Sequence, residues 1–297
     1  YWQGIESGSL FTGRAMTRSL IPPLVAIAME EGAIDSLDDP VGRYLPEWSD
    51  DPRGAITIKQ FLYNLSGLEN PPLAKDPNPD NKSTRLALGG DFRTAALAFE
   101  LENTPGDYFA LSNANAEIVA AVLETATGES YESYFNSRLW GPIGAGPAFF
   151  YMDTNDGMPA VYCCFRATPR DWLRYGAALL NDGRVGRAQV WPSGWVEEMT
   201  TPSDYYSLYA YQIWAGNPEP GESRIYSESM TLTARHGEGI RSNGFFYLEG
   251  GGDRTMYVLP EQDLVILRLG YYDADWNTSA LPNFILDGIR SSDEDGD

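Results

Sequence analysis

Residues 13–48, GRAMTRSLIPPLVAIAMEEGAIDSLDDPVGRYLPEW, decide the fold. Their first half predicts a helix over residues 15–31, and Gly32 follows as a stop signal. Pro22 and Pro23 lie inside this helix, where they remove backbone hydrogen bonds and favour a kink. The segment that follows, SLDDPVGRYLPEW, is typical of loops and turns. The stretch therefore predicts a kinked, apolar helix that leads into an irregular connection.

The composition indicates a globular, strongly acidic chain. Its 297 residues, 43% of them hydrophobic, can form one large domain with a smaller inserted lobe. The 21 basic and 42 acidic residues give a net charge of −21, which repels phosphate backbones and anionic membranes. We therefore expect neither a nucleic acid nor a membrane partner. Only Lys59, Lys75 and Lys82 are lysines, and an acidic, lysine-poor surface suits a saline habitat.

Signals for a compartment, a cofactor or a metal are missing from the sequence. No stretch of 18 apolar residues and no signal peptide is found, so the localisation stays open. Cys163 and Cys164 are adjacent, which is poor geometry for a mutual disulfide, and we expect them to be small buried apolar residues. One histidine, His236, and this cysteine pair form no recognisable ligand set, so we expect neither metal nor cofactor.

Helical periodicity comes first along the chain and strand-like alternation comes last. The predicted helices cover residues 55–68, 94–100, 115–127, 131–139, 168–181 and 195–199. The predicted strands cover residues 209–216, 243–250, 255–260 and 263–272. This order indicates an α+β or mixed α/β fold in one domain over residues 1–290, followed by an acidic tail over 291–297. Within it, residues 50–165 would form a helical lobe and residues 205–272 an antiparallel sheet.

Residues 15–19, Ala-Met-Thr-Arg-Ser, and their surroundings resemble the nucleophile helix of the penicillin-recognising serine hydrolases. That family includes class C β-lactamases, DD-peptidases, esterases and 6-aminohexanoate-oligomer hydrolases. Residues 162–172 and 258–266 resemble the 6-aminohexanoate-dimer-hydrolase and esterase branch in particular. The resemblance implies a β-lactamase-like antiparallel sheet flanked by helices, with an inserted helical lobe. It also implies a C-terminal helix, over residues 281–289, that packs on the sheet.

The first catalytic motif of that family, Ser-x-x-Lys, is altered here. Ala15 stands at the nucleophile position and Arg18 at the base position, and no Ser-x-x-Lys occurs anywhere in the chain. Arginine stays protonated at any working pH, so it cannot accept a serine proton. As an alternative to ligand binding, Arg18 could pair with an acidic residue inside the former pocket.

The other two family motifs are altered as well. Leu111-Ser112-Asn113 aligns with Tyr-x-Asn, so leucine replaces the tyrosine; Tyr108 could substitute for it only after a register shift. Gly250, Gly251 and Gly252 align with the Lys/His-x-Gly motif. We expect Leu111, Asn113 and Gly251 to converge on Ala15, and the substrate-binding candidates are Ser112, Asn113, Gly250, Gly251 and Gly252. The plainer interpretations are that the glycines form a hairpin turn and that Asn113 caps the next helix.

The start of the chain differs from the family pattern. In the family a helix and two strands precede the nucleophile, whereas fourteen residues precede Ala15, so the N-terminal strands are expected to be absent. This would leave the strand over residues 263–272 at an apolar edge, which proteins normally pair or cover. We expect residues 1–12, a second subunit or a segment outside this chain to cover it. A protein partner or a homo-oligomer is therefore expected besides a small-molecule ligand.

Three functions remain open from the sequence. The first, which we favour, is a non-catalytic member of this fold that acts by binding or assembly, because Ala15, Arg18 and Leu111 are three separate losses. The second is an amide or ester hydrolase of the 6-aminohexanoate-oligomer hydrolase or esterase type in which alanine replaces the nucleophile. The third is an enzyme with another apparatus, such as a carboxylate. A Ser-His-Asp triad would need His236, and the chain has no Gly-x-Ser-x-Gly elbow.

Overall fold

The computed structural model describes most of the chain, namely residues 5–73, 78, 80–155, 157–216, 224–227, 230–232, 238–270 and 276–294. Its α-helices are α1 (Ile21–Glu30), α2 (Ile58–Leu62), α3 (Lys82–Leu88), α4 (Phe92–Leu97), α5 (Asn113–Thr127), α6 (Tyr131–Phe135), α7 (Pro169–Leu180), α8 (Trp195–Thr200) and α9 (Ala280–Glu294). Its strands are β1 (Phe11–Thr12), β2 (Arg166–Ala167), β3 (Arg184–Val185), β4 (Ala188–Gln189), β5 (Trp214–Ala215), β6 (Arg224–Ser227), β7 (Met230–Leu232), β8 (Phe246–Gly250), β9 (Arg254–Leu259) and β10 (Leu264–Arg268).

The first helical stretch consists of two parts where the sequence predicts one kinked helix. A 3₁₀ helix spans Arg14–Leu20, and α1 continues from it over Ile21–Glu30. The two prolines lie in the first turn of α1, where a backbone N–H has no partner within the helix and its loss costs little. The prolines therefore mark the start of an α-helix, and the kink expected within it becomes the junction.

The helical region is built around α5. Every residue from 114 to 123 in this helix is buried, and Gly128 ends it in the left-handed conformation that glycine adopts easily. Helices α1, α2 and α4 pack against it. The predicted helix over residues 55–68 is much shorter in the structure, because a Thr57–Gln60 capping box starts α2 and Asn64 turns the chain away at a φ of 59°.

An antiparallel sheet with the strand order β10-β9-β8-β5 forms the other half of the fold. Helix α7 packs on β9 and β10, and the 3₁₀ helix of residues 14–20 packs on β8. Leu286 of α9 lies in an apolar cluster with Tyr257 and Ile266 of the sheet. The predicted strand over 209–216 is wrong for most of its length, because Gln212 has a φ of 55° and only Trp214–Ala215 pair with β8.

Strand β10 lies at one edge of this sheet. It pairs with β9, and no other strand pairs with it within the described ranges. Residues 11 and 12 pair with β2 instead, so these two residues do not pair with β10. Cover of the edge by the rest of residues 1–12, by a second subunit or by a segment outside this chain stays a prediction.

Two further sequence expectations concern the acidic C-terminal tail and the presence of a membrane-spanning helix. Helix α9 continues through Glu294, so residues 291–294 extend the C-terminal helix where the sequence predicts the start of an acidic tail. Among the described helices, none combines the length and the apolar character that spanning a bilayer requires. The division into a domain over 1–290 with a lobe over 50–165 stays a prediction.

Candidate functional site

A cleft of about 750 Å³ lies where the 3₁₀ helix of residues 14–20 meets the N-terminus of α5 and the turn after β8. Six residues singled out from the sequence line it: Ala15, Arg18, Leu111, Ser112, Asn113 and Gly251. Tyr108, Gly250 and Gly252 are not among its lining residues. His236 lies outside the described residues. The structure thus brings together Ala15, Leu111, Asn113 and Gly251, which are distant in sequence.

Arg18 joins the first two altered motifs directly. Its Nη2 donates a hydrogen bond of 2.7 Å to Asn113 Oδ1, and only 5% of the arginine is exposed. Within the described part of the chain, no carboxylate forms an ion pair with Arg18, so the expected acidic partner is not found there. The interpretation of Asn113 as a helix cap is also wrong, because Ser112 holds the N-cap position of α5 and Asn113 is its first residue.

Behind the cleft lies a group of hydrogen-bonded polar side chains that we call the supporting layer: Asn64, Ser66, Asn115, Tyr209 and Gln212. Asn64 Oδ1 accepts hydrogen bonds from the Ser112 backbone N–H at 3.1 Å and from Asn115 Nδ2 at 2.9 Å. Asn64 Nδ2 donates to the Tyr209 hydroxyl at 3.3 Å. Ser66 donates to Asn115 Oδ1 at 2.8 Å, and Gln212 Nε2 donates to the Phe61 and Leu62 carbonyls. The layer holds the 111–113 segment against the cleft.

Two buried titratable groups, one in this layer and one on α5, have raised pKa values. Burial raises the pKa of Tyr209 to about 12, although the nearby Arg18 guanidinium opposes the shift. Burial also raises the pKa of Glu117 to about 8, although two backbone N–H groups donate to its carboxyl. Those donors are Val161 at 2.7 Å and Tyr162 at 3.2 Å. Glu117 therefore anchors the segment that leads to the two cysteines, a role that its place on the apolar face of α5 could have signalled.

The two cysteines form a disulfide with each other, which corrects the expectation that they remain separate. Cys164 has a φ of 76°, and this left-handed backbone turns its side chain away from the usual alternation of neighbouring residues. In ordinary extended backbone, the side chains of adjacent cysteines point apart, and their spacing alone therefore predicts separate thiols. Both cysteines line the cleft, so the disulfide is part of its wall.

The three glycines of the third motif have different roles. A Cβ on Gly250 would lie 2.1 Å from the Gly13 carbonyl oxygen, so this glycine lets β8 approach the start of the first helical stretch. Gly251 lines the cleft and has open space where a Cβ would stand. Gly252 has a φ of 82° in the turn to β9, which favours glycine. Gly252 therefore fits the interpretation as a hairpin turn, and Gly251 fits the interpretation as part of the cleft.

The side chains around the cleft can bind a charge but offer little for proton transfer. Arg14, Arg18 and Arg166 line it, and its described lining residues include no lysine, histidine, aspartate or glutamate. Within the described ranges, no group of three or more histidine, cysteine or acidic residues is placed to hold a metal ion. Among the residues that the structure describes, the cleft is cationic and largely apolar, and no lysine, histidine or carboxylate in its lining could act as a general base.

Comparisons with known proteins agree with this architecture. The family model described as Beta-lactamase matches residues 7–270. Protein flp from Staphylococcus aureus (strain MRSA252) is 29% identical over 129 residues, which are 42% of this chain and 25% of that protein. The 6-aminohexanoate-dimer hydrolase of Paenarthrobacter ureafaciens is 24% identical over 245 residues, covering 74% of this chain and 62% of that enzyme. The matches thus span less than two thirds of these relatives.

Solved structures share the fold over almost the whole chain. A Bacillus anthracis protein provisionally named a 6-aminohexanoate-dimer hydrolase superposes with a TM-score of 0.73 and 21% identity, covering 98% of this chain and 73% of that one. A penicillin-binding protein from Bacillus halodurans gives a TM-score of 0.65 and 14% identity, covering 96% and 87%. At these identities the structures establish the fold alone. Together with the family match over residues 7–270, they show that the chain belongs to the beta-lactamase family and has its fold of helices around an antiparallel sheet.

Proposed function

We propose that this chain is a non-catalytic member of the beta-lactamase family that binds a ligand in its cleft without forming an acyl-enzyme. One observation carries the proposal: the described residues around the cleft offer no lysine, histidine or carboxylate that could deprotonate a hydroxyl. Ala15 has no oxygen to attack a carbonyl, and the arginine one turn later cannot act as a base.

Three hydroxyl groups of the cleft, those of Ser83, Ser112 and Tyr162, do not replace this apparatus. The Ser83 hydroxyl donates to the Pro71 carbonyl oxygen. The Tyr162 hydroxyl donates to the Leu86 carbonyl, and burial raises its pKa far above the neutral range. Ser112 Oγ is buried without a hydrogen-bond partner among the described residues, so nothing there activates it. A nucleophile without a base remains weak at neutral pH.

A second candidate function is an amide or ester hydrolase of the 6-aminohexanoate-dimer-hydrolase type in which alanine replaces the serine. The similarity to the enzyme of that name favours it. This candidate accounts for Ala15 but leaves the buried Arg18–Asn113 hydrogen bond and Leu111 unexplained. We therefore place it second.

The test compares the unmodified chain with variants at the three motif positions. Turnover of a p-nitrophenyl ester and of a chromogenic cephalosporin would be followed, and a serine-reactive probe would be read by intact mass. We expect no turnover and no adduct from the unmodified chain, and little recovery from Ala15→Ser alone, because catalytic groups act as a unit. The triple variant Ala15→Ser, Arg18→Lys, Leu111→Tyr should recover ester hydrolysis if the cleft still admits the ester.

The matched control is Ala188→Ser, which adds a serine at an exposed position outside the cleft. Turnover by the unmodified chain that survives the probe would contradict the proposal and favour another catalytic apparatus. Full activity from Ala15→Ser alone would favour the second candidate.

A further inference from the structure

The charge around the cleft is opposite to that of the chain as a whole. The protein carries a net charge of −21, yet the charged residues that line the cleft in the described part of the chain are Arg14, Arg18 and Arg166. Arg18 is buried, whereas Arg14 and Arg166 are exposed. The positive charges thus extend from the rim of the cleft to its interior, and no described acidic residue in the lining offsets them.

Arg18 is a buried cation whose hydrogen-bonding capacity is largely unused. Its Nη2 donates to the neutral amide of Asn113, and its guanidinium interacts with the neutral hydroxyl of Tyr209. Its Nε and Nη1 have no acceptor among the described residues. Burying a charge is costly unless an opposite charge and hydrogen bonds compensate it. An anion held in the cleft would provide that compensation, because a carboxylate accepts hydrogen bonds from a guanidinium with favourable geometry.

Arg53 shows how this chain compensates an arginine that has only a structural role. Its side chain is also mostly buried, with 19% exposed. It pairs with the Asp51 carboxylate and donates further hydrogen bonds of 2.7 Å to the Leu97 and Phe99 carbonyls. The contrast indicates that the uncompensated charge of Arg18 belongs to a site for a ligand.

Apolar groups form most of the remaining wall. Phe99 and Leu111 line the cleft together with the disulfide. Leu73 and Tyr151 also line it and are 62% and 56% exposed, so both side chains are accessible to a ligand. A volume of about 750 Å³ accommodates an organic molecule of moderate size.

We propose that the cleft binds an organic carboxylate with an apolar body, whose carboxylate lies against Arg18 and whose body lies along the apolar wall. This inference rests on the proposed non-catalytic function, since the ligand is held intact. A neutral molecule of the same shape would leave Arg18 uncompensated, and a cation would meet three arginines.

Isothermal titration calorimetry with three probes of equal chain length tests the head group alone. Octanoate carries the carboxylate, octanamide is its neutral counterpart and octylamine is a cation at pH 7. We expect octanoate to bind at least about tenfold more tightly than octanamide, because hydrogen bonds to charged groups are the stronger ones. Octylamine should bind weakest. Equal affinities for octanoate and octanamide, or no octanoate binding at all, would overturn the proposal.

Variants of single arginines then identify the residue that causes the preference for octanoate over octanamide. Arg18→Gln should reduce the preference for octanoate to less than about threefold, since the amide keeps a donor but loses the charge. Arg166→Gln at the rim should reduce it less. Arg187→Gln, at an exposed site outside the cleft, should leave it unchanged. If Arg18→Gln fails to fold, the Arg166→Gln result decides, and an unaltered preference there would contradict the proposal.

These measurements are separable from the test of the proposed function. Turnover of an ester by the unmodified chain would refute the non-catalytic proposal whatever the head-group preference. Binding of octanamide as tightly as octanoate, without turnover, would refute only the carboxylate inference.

Discussion

The supporting layer and the cleft-facing residues of this protein differ in how completely their polar groups are satisfied. In the supporting layer, Asn64 alone makes three side-chain hydrogen bonds, and Ser66 and Gln212 donate to further buried acceptors. On the cleft side, Arg18 Nε and Nη1 and Ser112 Oγ have no hydrogen-bond partner among the described residues. Ser112 belongs to both regions, because its backbone N–H donates to Asn64 and the residue lines the cleft.

The difference in hydrogen bonding between the two regions shows which part of the site is held rigidly by the fold. A buried polar group without a partner costs stability, so a satisfied layer rigidifies the segment that it holds. Here that segment carries Leu111 and Asn113 to the cleft. The described charged groups that face the cleft are three arginines, which supports the proposed binding role.

The largest expected effect comes from removing the centre of the supporting layer. Asn64→Ala leaves the Ser112 N–H and the Asn115 amide without their acceptor. It also places alanine at a φ of 59°. We expect the free energy of unfolding to fall by about 4 kcal/mol, measured by urea unfolding followed by tryptophan fluorescence. Asn136→Ala, at an exposed asparagine, is the control. An equal loss of unfolding free energy in this control would show that the hydrogen bonds of the supporting layer do not account for the effect of Asn64→Ala.

The second prediction concerns Glu117, which anchors the segment before the disulfide. Burial raises its pKa from 4.5 to about 8 in the folded chain, so the folded state holds a proton that the unfolded state releases between these values. Stability from this group is therefore complete below pH 4.5 and falls as the pH rises towards 8.

Glu117→Gln keeps an acceptor for Val161 and Tyr162 and removes this titration. Relative to the variant, the unmodified chain should lose about 3 kcal/mol of unfolding free energy between pH 5 and pH 8. Urea unfolding at several pH values measures the difference, and the exposed Glu132→Gln serves as control. Parallel pH profiles for the unmodified chain and Glu117→Gln would contradict a proton held by the folded state.

The smallest of the three expected losses of stability distinguishes two neighbouring glycines, Gly250 and Gly251, at the border of the cleft. Gly250→Ala places a methyl group 2.1 Å from the Gly13 carbonyl oxygen, so either β8 or the start of the 3₁₀ helix must shift. We expect a loss of about 2 kcal/mol in unfolding free energy. Gly251→Ala meets open space and should change stability by less than about 0.5 kcal/mol. Thermal unfolding of the pair gives the comparison, and similar melting temperatures would show that no close approach exists at Gly250.

Local patterns in the sequence were enough to predict many of the helices and strands. Helices α5 and α7 and strands β8, β9 and β10 lie close to their predicted positions, because their periodicity and their capping or turn residues agree. The element over residues 209–216 was predicted as a strand because alternating aromatic residues favour one. Buried hydrogen bonds from Gln212 to the end of α2 turn the chain there instead.

The sequence by itself determined the family, the acidic surface, and the absence of a nucleophile at position 15 and of a base at position 18. These features depend on residue identity and on spacing within a helical turn. Tertiary structure alone decided that the two cysteines bond, that Glu117 anchors a distant backbone segment, and that Arg18 meets a neutral amide 95 residues away in the chain. The physical reason is that burial and pairing depend on contacts between distant segments, and those contacts form only when the chain packs.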